Sequence, residues 1–208
     1  MRTLTKACQQ KMTPTEALEL LKNGNQRFVS NLKVNRNLLQ QVNDTSDGQH
    51  PFAVIISCMD SRTSAELIFD QGLGDVFSIR IAGNVINEDI LGSTEFGCKA
   101  VGSKIVLVLG HTNCGAIKGA VDNVELGHLH FITHKIKRCL PQIKNLKPHL
   151  HTDALCTEVM RENVLQGIRD LKHSSTILAD MAYQGEIRIV GGIYDLSTGI
   201  VEFLEDQS

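Results

Sequence analysis

The alternation of short apolar runs with helix-like segments is the feature that most limits how this chain can fold. Residues 53–57 and 104–109 form continuous β-type runs, which is typical of strands buried on both faces of a parallel sheet. A third run covers residues 76–81. Helical spacing predicts one helix from about residue 64 and a second helix over 92–101. The sequence therefore predicts an α/β fold with a mostly parallel central sheet flanked by helices.

The segments on either side of this pattern predict an N-terminal helical arm and closing C-terminal strands. Thr13 stands at a helix N-cap, Pro14 at the first helical position and Glu16 two residues later, so a helix begins here. Residues 31–51 are polar and end in proline, which favours an extended arm over the surface. The remaining pattern predicts two helices and two closing strands, over 128–140, 153–172, 186–193 and 200–204.

The chain length favours one domain with a full hydrophobic core. With 208 residues, the chain is too short to make two ordinary domains the default. We expect a single domain over residues 1–208, in which an N-terminal helix and arm (1–50) precede an α/β core (51–208).

Composition argues against several classes of protein. The formal net charge of −2 leaves no basic surface for neutralising phosphates, so nucleic acid is not an expected partner. The longest apolar stretches fall far below the roughly 18 residues that span a bilayer, so no membrane segment is expected. No secretory signal is readable at the N-terminus, which favours a cytoplasmic protein; a periplasmic chain whose signal has been removed would look the same.

The six cysteines do not form the pattern of a disulfide framework. A chain with this much core needs no covalent cross-links, and the cysteines are unevenly spaced. Cys98, Cys139 and Cys156 lie in segments with helical spacing and are interpreted as plain thiols.

Two strand ends carry side chains that could bind a metal. Cys58 follows the first run directly, and His111 and Cys114 follow the run at 104–109. In open parallel sheets, sites form beyond the carboxyl ends of the strands. Catalytic zinc takes thiolate and imidazole ligands from three protein side chains and leaves one position open. Spacing alone leaves a second interpretation open, namely two buried thiols and a core histidine.

Asp60 and Arg62 favour the interpretation as a site. A bidentate carboxylate–guanidinium pair beside a metal fixes the orientation of the carboxylate. The alternative is an ordinary ion pair in solvent.

These residues resemble the two signature segments of the β-class carbonic anhydrases. Cys58-x-Asp60-x-Arg62 and His111-x-x-Cys114 match those segments in order and in separation. The similarity covers most of residues 50–204, including segments at 66–70, 72–75, 77–84, 92–96, 191–195 and 201–204.

The resemblance implies a zinc enzyme that interconverts CO2 and bicarbonate. In the implied mechanism, zinc-bound hydroxide attacks CO2 while Asp60 accepts its hydrogen bond and orients it. Arg62 holds Asp60 and keeps it from becoming the fourth zinc ligand. In some members the corresponding aspartate does become that ligand, in an inactive closed form.

The resemblance also implies substrate-binding residues and an oligomer. Gln49, Phe77, Ala82 and the backbone of Gly115 are expected near CO2. Ala82 replaces the valine common in plant-type members, and Phe96 stands where many members have tyrosine. The family forms homodimers, often paired into tetramers, so a second copy of this chain is an expected partner.

Other functions fit less well or remain open. A phosphate-binding loop at Gly110 to Gly115 lacks the required lysine, because Ala116 stands in its place. A cysteine phosphatase needs an arginine six residues after its nucleophile, and this chain has none at that distance from Cys58 or Cys114. The same ligands would also serve a zinc-binding relative that does not hydrate CO2, or one that acts on a related molecule such as carbon disulfide.

The sequence does not identify a proton-transfer residue. Titratable histidines often serve this purpose. Six histidines lie in segments typical of solvated helix faces or loops: His128, His130, His134, His149, His151 and His173.

Overall fold

The structure is a computed structural model that describes residues 3–150 and 152–204, with only the backbone of Thr152. Its centre is one sheet with the strand order β2-β1-β3-β4-β5. The first four strands run parallel and β5 runs antiparallel to β4, which confirms the predicted α/β fold. The strands are β1 (Ala53–Ser57), β2 (Val76–Arg80), β3 (Ile105–His111), β4 (Arg188–Tyr194) and β5 (Val201–Leu204).

Helices cover both faces of this sheet. They are α1 (Lys6–Lys11), α2 (Pro14–Val29), α3 (Leu38–Asp44), α4 (Ala65–Ile68), α5 (Glu88–Glu95), α6 (Gly115–Val121), α7 (Leu129–Lys137), α8 (Leu140–Leu146), α9 (Thr152–Ser174) and α10 (Thr176–Tyr183). A 3-10 turn at Ala82–Asn84 follows β2, and π-helical turns at Phe96–Val101 extend α5. In the part of the chain that the structure describes, no helix is long and apolar enough to cross a membrane.

Alternate residues of β1 and β3 fill two separate cores. Ile55 and Leu107 face a cluster that includes Leu21 of α2, whereas Ile56 and Val108 face a larger cluster that includes residues of α6, α9 and α10. Because successive strand residues point to opposite faces, a continuous apolar run is what a strand covered on both sides requires.

The N-terminal helix begins where the sequence predicts. Thr13 Oγ1 accepts from the backbone N–H of Glu16 (3.2 Å), and Glu16 Oε2 accepts from the backbone N–H of Thr13 (2.8 Å). This reciprocal pair satisfies donors that the first helical turn leaves free. Helix α2 then buries Ala17, Leu18 and Leu21 against one face of the central sheet.

The arm at 31–51 differs from its prediction, because α3 lies within it. Asn37 caps α3 by accepting from the backbone N–H of Gln40 (3.0 Å). Gln41 is buried and accepts from the N–H of Leu73 (3.2 Å). An Asn cap in a polar segment resembles loop sequence, so apolar spacing did not reveal the helix.

Other predicted bounds are wrong by a turn or more. Helix α5 begins at Glu88 instead of about residue 92, because Asn87 caps it. Helix α10, capped by Ser175, was not predicted. The predicted helix over 128–140 corresponds to α7, with α8 following it separately. The division at residue 50 stays a prediction.

A buried carboxylate fastens the arm to the core. Asp70 lies between Arg27 (Nε–Oδ2 2.6 Å) and Arg36 (Nη1–Oδ1 2.5 Å), and it also accepts from the N–H of Val34 (3.3 Å). The Asp70 side chain is 3% exposed. A buried charge of this kind requires such partners, because an unpaired one is strongly destabilising.

We predict that Gly24→Ala destabilises the fold. A Cβ at Gly24, within α2, would lie 1.8 Å from the backbone oxygen of Phe69, so helix and loop must separate. We expect a loss of about 1–3 kcal/mol, as for other overpacked sites. Urea unfolding followed by circular dichroism measures it.

Gly119→Ala is the matched control for this prediction. Gly119 is also helical, within α6, but a Cβ there meets nothing nearer than 3.8 Å. We expect Gly119→Ala to be neutral or stabilising, since alanine is the better helix former. Equal midpoints for the two variants would contradict the proposed contact.

Candidate metal centre

Cys58, His111 and Cys114 meet at the carboxyl edge of the sheet. Cys58 follows β1, His111 ends β3, and Cys114 precedes α6. Their ligand atoms all lie within 4.8 Å of one another, and the two sulfurs are 4.0 Å apart. Each residue is at most 5% exposed. Among the described residues, these three form the only group of three or more potential ligands whose atoms already lie this close together.

A tight turn places Cys114 beside His111. Asn113 has φ +55°, in the left-handed region that asparagine tolerates better than most residues. Thr112 Oγ1 accepts from the N–H of Leu196 (3.0 Å), which fastens the turn to the loop after β4. The two ligands on this segment are thereby fixed by backbone geometry.

The His111 ring has a nitrogen without a hydrogen-bond partner close to the sulfurs of Cys58 and Cys114. Its Nδ1 lies 2.9 Å from the backbone oxygen of Thr112. A carbonyl oxygen only accepts, so Nδ1 carries the hydrogen and Nε2 has a lone pair. Nε2 is buried and has no hydrogen-bond partner in the protein. Such an atom is costly to bury, and a metal ion would supply its missing partner.

The hydrogen bond between the thiols of Cys58 and Cys114 shifts their pKa values in opposite directions. The hydrogen bond from the Cys114 thiol holds the pKa of Cys58 well below its ordinary value. The same hydrogen bond, together with burial, raises the pKa of Cys114. The backbone N–H of Gly83 also donates to Cys58 Sγ (3.4 Å). Thiolate is the form that binds metals, so the donor set fits a soft or borderline cation such as zinc.

Asp60 and Arg62 form a bidentate pair beside this cluster. Arg62 Nε and Nη2 donate to Oδ1 (2.9 Å) and Oδ2 (2.7 Å) of Asp60, and the backbone N–H of Arg62 donates to Oδ1 (2.9 Å). The guanidinium hydrogen bonds lower the pKa of Asp60 from its ordinary value, although burial opposes them. The carboxylate therefore stays ionised at neutral pH.

Three residues that sequence reasoning missed hold the loop between Cys58 and Thr63. Thr63 Oγ1 donates to the backbone oxygen of Cys58 (2.9 Å). Arg80 donates to the backbone oxygens of Cys58 (3.2 Å) and Asp60 (2.5 Å). Gly83 contacts the ligand sulfur itself. Arg80 and Gly83 lie in the family-like segment 77–84, but their residue types alone did not indicate these backbone contacts.

The residues expected near the substrate do not all meet within one chain. Gly115 lines a cavity of about 460 Å³ together with His111 and Cys114. Ala82 is next to Gly83 and hence close to Cys58. Phe77 lies elsewhere, on edge strand β2, where it lines a groove together with Phe96.

Gln49 and Phe77 are displaced toward the opposite end of the sheet. Phe77 pairs with Val54, whereas Ser57 pairs with Arg80 at the site; that offset is about 10 Å along a strand. Gln49 precedes β1 and lines a separate groove with Lys104, which precedes β3. Neither side chain reaches the metal centre of its own chain.

The remaining cysteines and histidines lie outside the cluster. Burial raises the pKa of Cys98 to about 12 and, with the nearby Glu162 carboxylate, the pKa of Cys139 to about 11; Cys156 lines the cavity. All described cysteines are free. Five of the six histidines noted above are exposed and none lines the cavity; His151 lies outside the described residues.

Comparisons with known proteins agree on one family. A family model described as carbonic anhydrase matches residues 53–201. A carbonic anhydrase of Mycolicibacterium smegmatis is 34% identical over 192 residues, which cover 91% of this chain and 92% of that protein. Carbonic anhydrase 2 of Mycobacterium tuberculosis is also 34% identical, over 89% of this chain and 90% of its own.

Solved structures show the same fold. The crystal structure of a β-carbonic anhydrase from Aspergillus fumigatus superposes with a TM-score of 0.73 at 30% sequence identity. The similarity covers 80% of this chain and 81% of the fungal one.

We predict that Cys114→Ser abolishes tight metal binding. Serine replaces a thiolate donor with a hydroxyl that stays protonated at neutral pH, so one of three ligands is lost. Elemental analysis after extensive dialysis measures the metal content of wild type and variant.

Cys156→Ser is the control, since Cys156 lines the same cavity but lies outside the cluster. We expect it to keep its metal. Full metal content in Cys114→Ser would contradict the ligand assignment.

Proposed function

The chain belongs to the carbonic anhydrase family of lyases, and from this premise we propose that it hydrates CO2 reversibly to bicarbonate and a proton. The observation that carries the proposal is the buried Cys58, His111 and Cys114 cluster beside an ionised Asp60. We propose zinc as its metal. Bound there, zinc would supply a Lewis acid that lowers the pKa of water enough to make a nucleophile near neutral pH.

The charges of the donors explain why Asp60 is needed. Two thiolates and a neutral imidazole offset both charges of a divalent ion, so water at this site is harder to deprotonate than at a site of three histidines. Help from surrounding groups then becomes important. Asp60 is the carboxylate beside the cluster that is fixed in orientation and charged.

In the proposed reaction, Asp60 accepts a hydrogen bond from the attacking water and aims its oxygen lone pair at the carbon of CO2. A new C–O bond forms, the product leaves as bicarbonate, and one proton passes to solvent. Arg62 uses both carboxylate oxygens of Asp60 and so fixes the direction of that hydrogen bond. We further propose that Asp60 becomes a fourth ligand in an inactive form, which its hold by Arg62 opposes.

The positions of Gln49 and Phe77 favour an oligomer. If both contact substrate, they do so away from the metal centre of their own chain, because both lie toward the opposite end of the sheet. We therefore propose a homodimer in which Gln49 and Phe77 of one copy complete the site of the other. The exposed Phe96 beside Phe77 is consistent with a covered surface there.

We predict that the zinc-loaded protein hydrates CO2 and that Asp60→Asn lowers kcat/KM by about 10²-fold. An amide cannot provide the same charged acceptor, while the three ligands remain. Stopped-flow hydration assays across pH, with zinc content measured in parallel, test this.

Asp195→Asn is the control, because Asp195 is another carboxylate near the cavity; we expect near wild-type rates. Wild-type activity no higher than background at alkaline pH would overturn the proposed reaction. It would favour a zinc-binding relative without this activity, or one acting on carbon disulfide.

We predict that two impaired variants complement each other in a mixed dimer. Gln49→Ala keeps the metal ligands, and Cys114→Ser keeps Gln49, so a mixed dimer has one complete site if the site is shared. Co-expressed, differently tagged chains should show activity above the mean of the two pure variants. A mixed dimer no more active than that mean would contradict sharing.

A further inference from the structure

Helix α7 carries two histidines one turn apart. His130 and His134 are four residues apart in Leu129–Lys137, so their side chains lie on one face of the helix. Both are exposed, and both line a cavity of about 500 Å³ between α7 and the preceding loop. This cavity shares no lining residue with the one at the metal centre.

The His130 ring is held in the form that binds metals. Its Nδ1 lies 2.7 Å from the backbone oxygen of Gly127. Since that oxygen accepts, Nδ1 carries the hydrogen and Nε2 is left with a free lone pair. Metal-binding histidines commonly donate their second nitrogen to a backbone carbonyl in this way. The ring also packs against Phe131, with centroids 3.9 Å apart.

Among the residues that line this cavity, one is an acid and one is a base. Glu125 lines the cavity from the loop, and Lys137 lies one turn beyond His134. The carboxylate attracts a cation and is itself a metal ligand type. The Lys137 ammonium repels one, but it lies at the far end of the stripe formed by residues 130, 134 and 137.

We propose that His130 and His134 bind a second divalent metal ion, with Glu125 facing it, at a site separate from Cys58, His111 and Cys114. Two imidazoles favour zinc, copper or nickel over magnesium or calcium, which prefer oxygen. The three groups are not drawn together like the buried cluster. Binding therefore requires exposed side chains to rotate, which makes this the weaker, exchangeable site.

The second site does not rest on the proposed reaction. The test uses the full-length chain with its first metal in place, dialysed against buffered Zn²⁺, followed by elemental analysis and calorimetric titration. Wild type should take up a second equivalent of zinc. His130→Ala or His134→Ala should weaken that second binding by about tenfold or more and leave the first unchanged.

His128→Ala is the matched control, because His128 is exposed and stacks on Phe131 but lies outside the pair and the cavity. It should bind the second equivalent like wild type. Cys114→Ser should lose the first metal and keep the weaker one, which separates the two sites.

Four outcomes would overturn the proposal. Wild type could stop at one equivalent, or both pair variants could bind the second as tightly as wild type. A second equivalent lost equally in His128→Ala would indicate nonspecific uptake by surface histidines. Titration with inorganic phosphate tests the opposite charge preference, and tight phosphate binding that depends on His134 would also contradict a cation site.

Discussion

The parallel pairing of β1 with β3 is the constraint on which the candidate site depends. Ser57 lies opposite Leu109, so both strands deliver their next residues to the same edge of the sheet. Because side chains alternate between faces, a shift of one residue in this register would turn the strand's side chains to the wrong face. The two cores that hold the register, each built from alternate residues of the same strands, therefore also hold the ligand geometry.

Around the ligands, backbone contacts matter as much as side chains. Arg80 and Thr63 bind the carbonyl oxygens of the loop that follows β1, and the N–H of Gly83 reaches the sulfur of Cys58. Asp60 is thus oriented twice: its backbone is held by Arg80, and its carboxylate by Arg62. Precise orientation of this kind would suit the CO2 of the proposed reaction, since a small, nonpolar molecule offers few contacts of its own.

The sequence predicted what depends on residue type and period, and missed what depends on backbone contacts. The apolar runs of β1 and β3 and the capping box of α2 indicated their elements correctly. Spacing brought Cys58, His111 and Cys114 together as candidates, and the structure places them side by side. Helix α3 was missed because it lies in a polar segment, and α10 because its short apolar stretch follows α9 with only Ser175 between them. Arg80 and Gly83 were missed because neither is a metal-ligating residue type. Gln49 was expected near the substrate, but in its own chain it lies far from the metal centre.

The Asp70 cluster bears on where this protein can be divided. Arg27, Val34 and Arg36 all belong to the segment before residue 50, yet each binds a carboxylate in the core, and α2 covers one face of the sheet. A chain truncated to begin at residue 51 would leave Asp70 without its two cations and expose Phe52, Ile55 and Leu107 to water. We therefore expect that trimming the N-terminal segment in expression, or exchanging it between relatives, would destabilise the core that it covers.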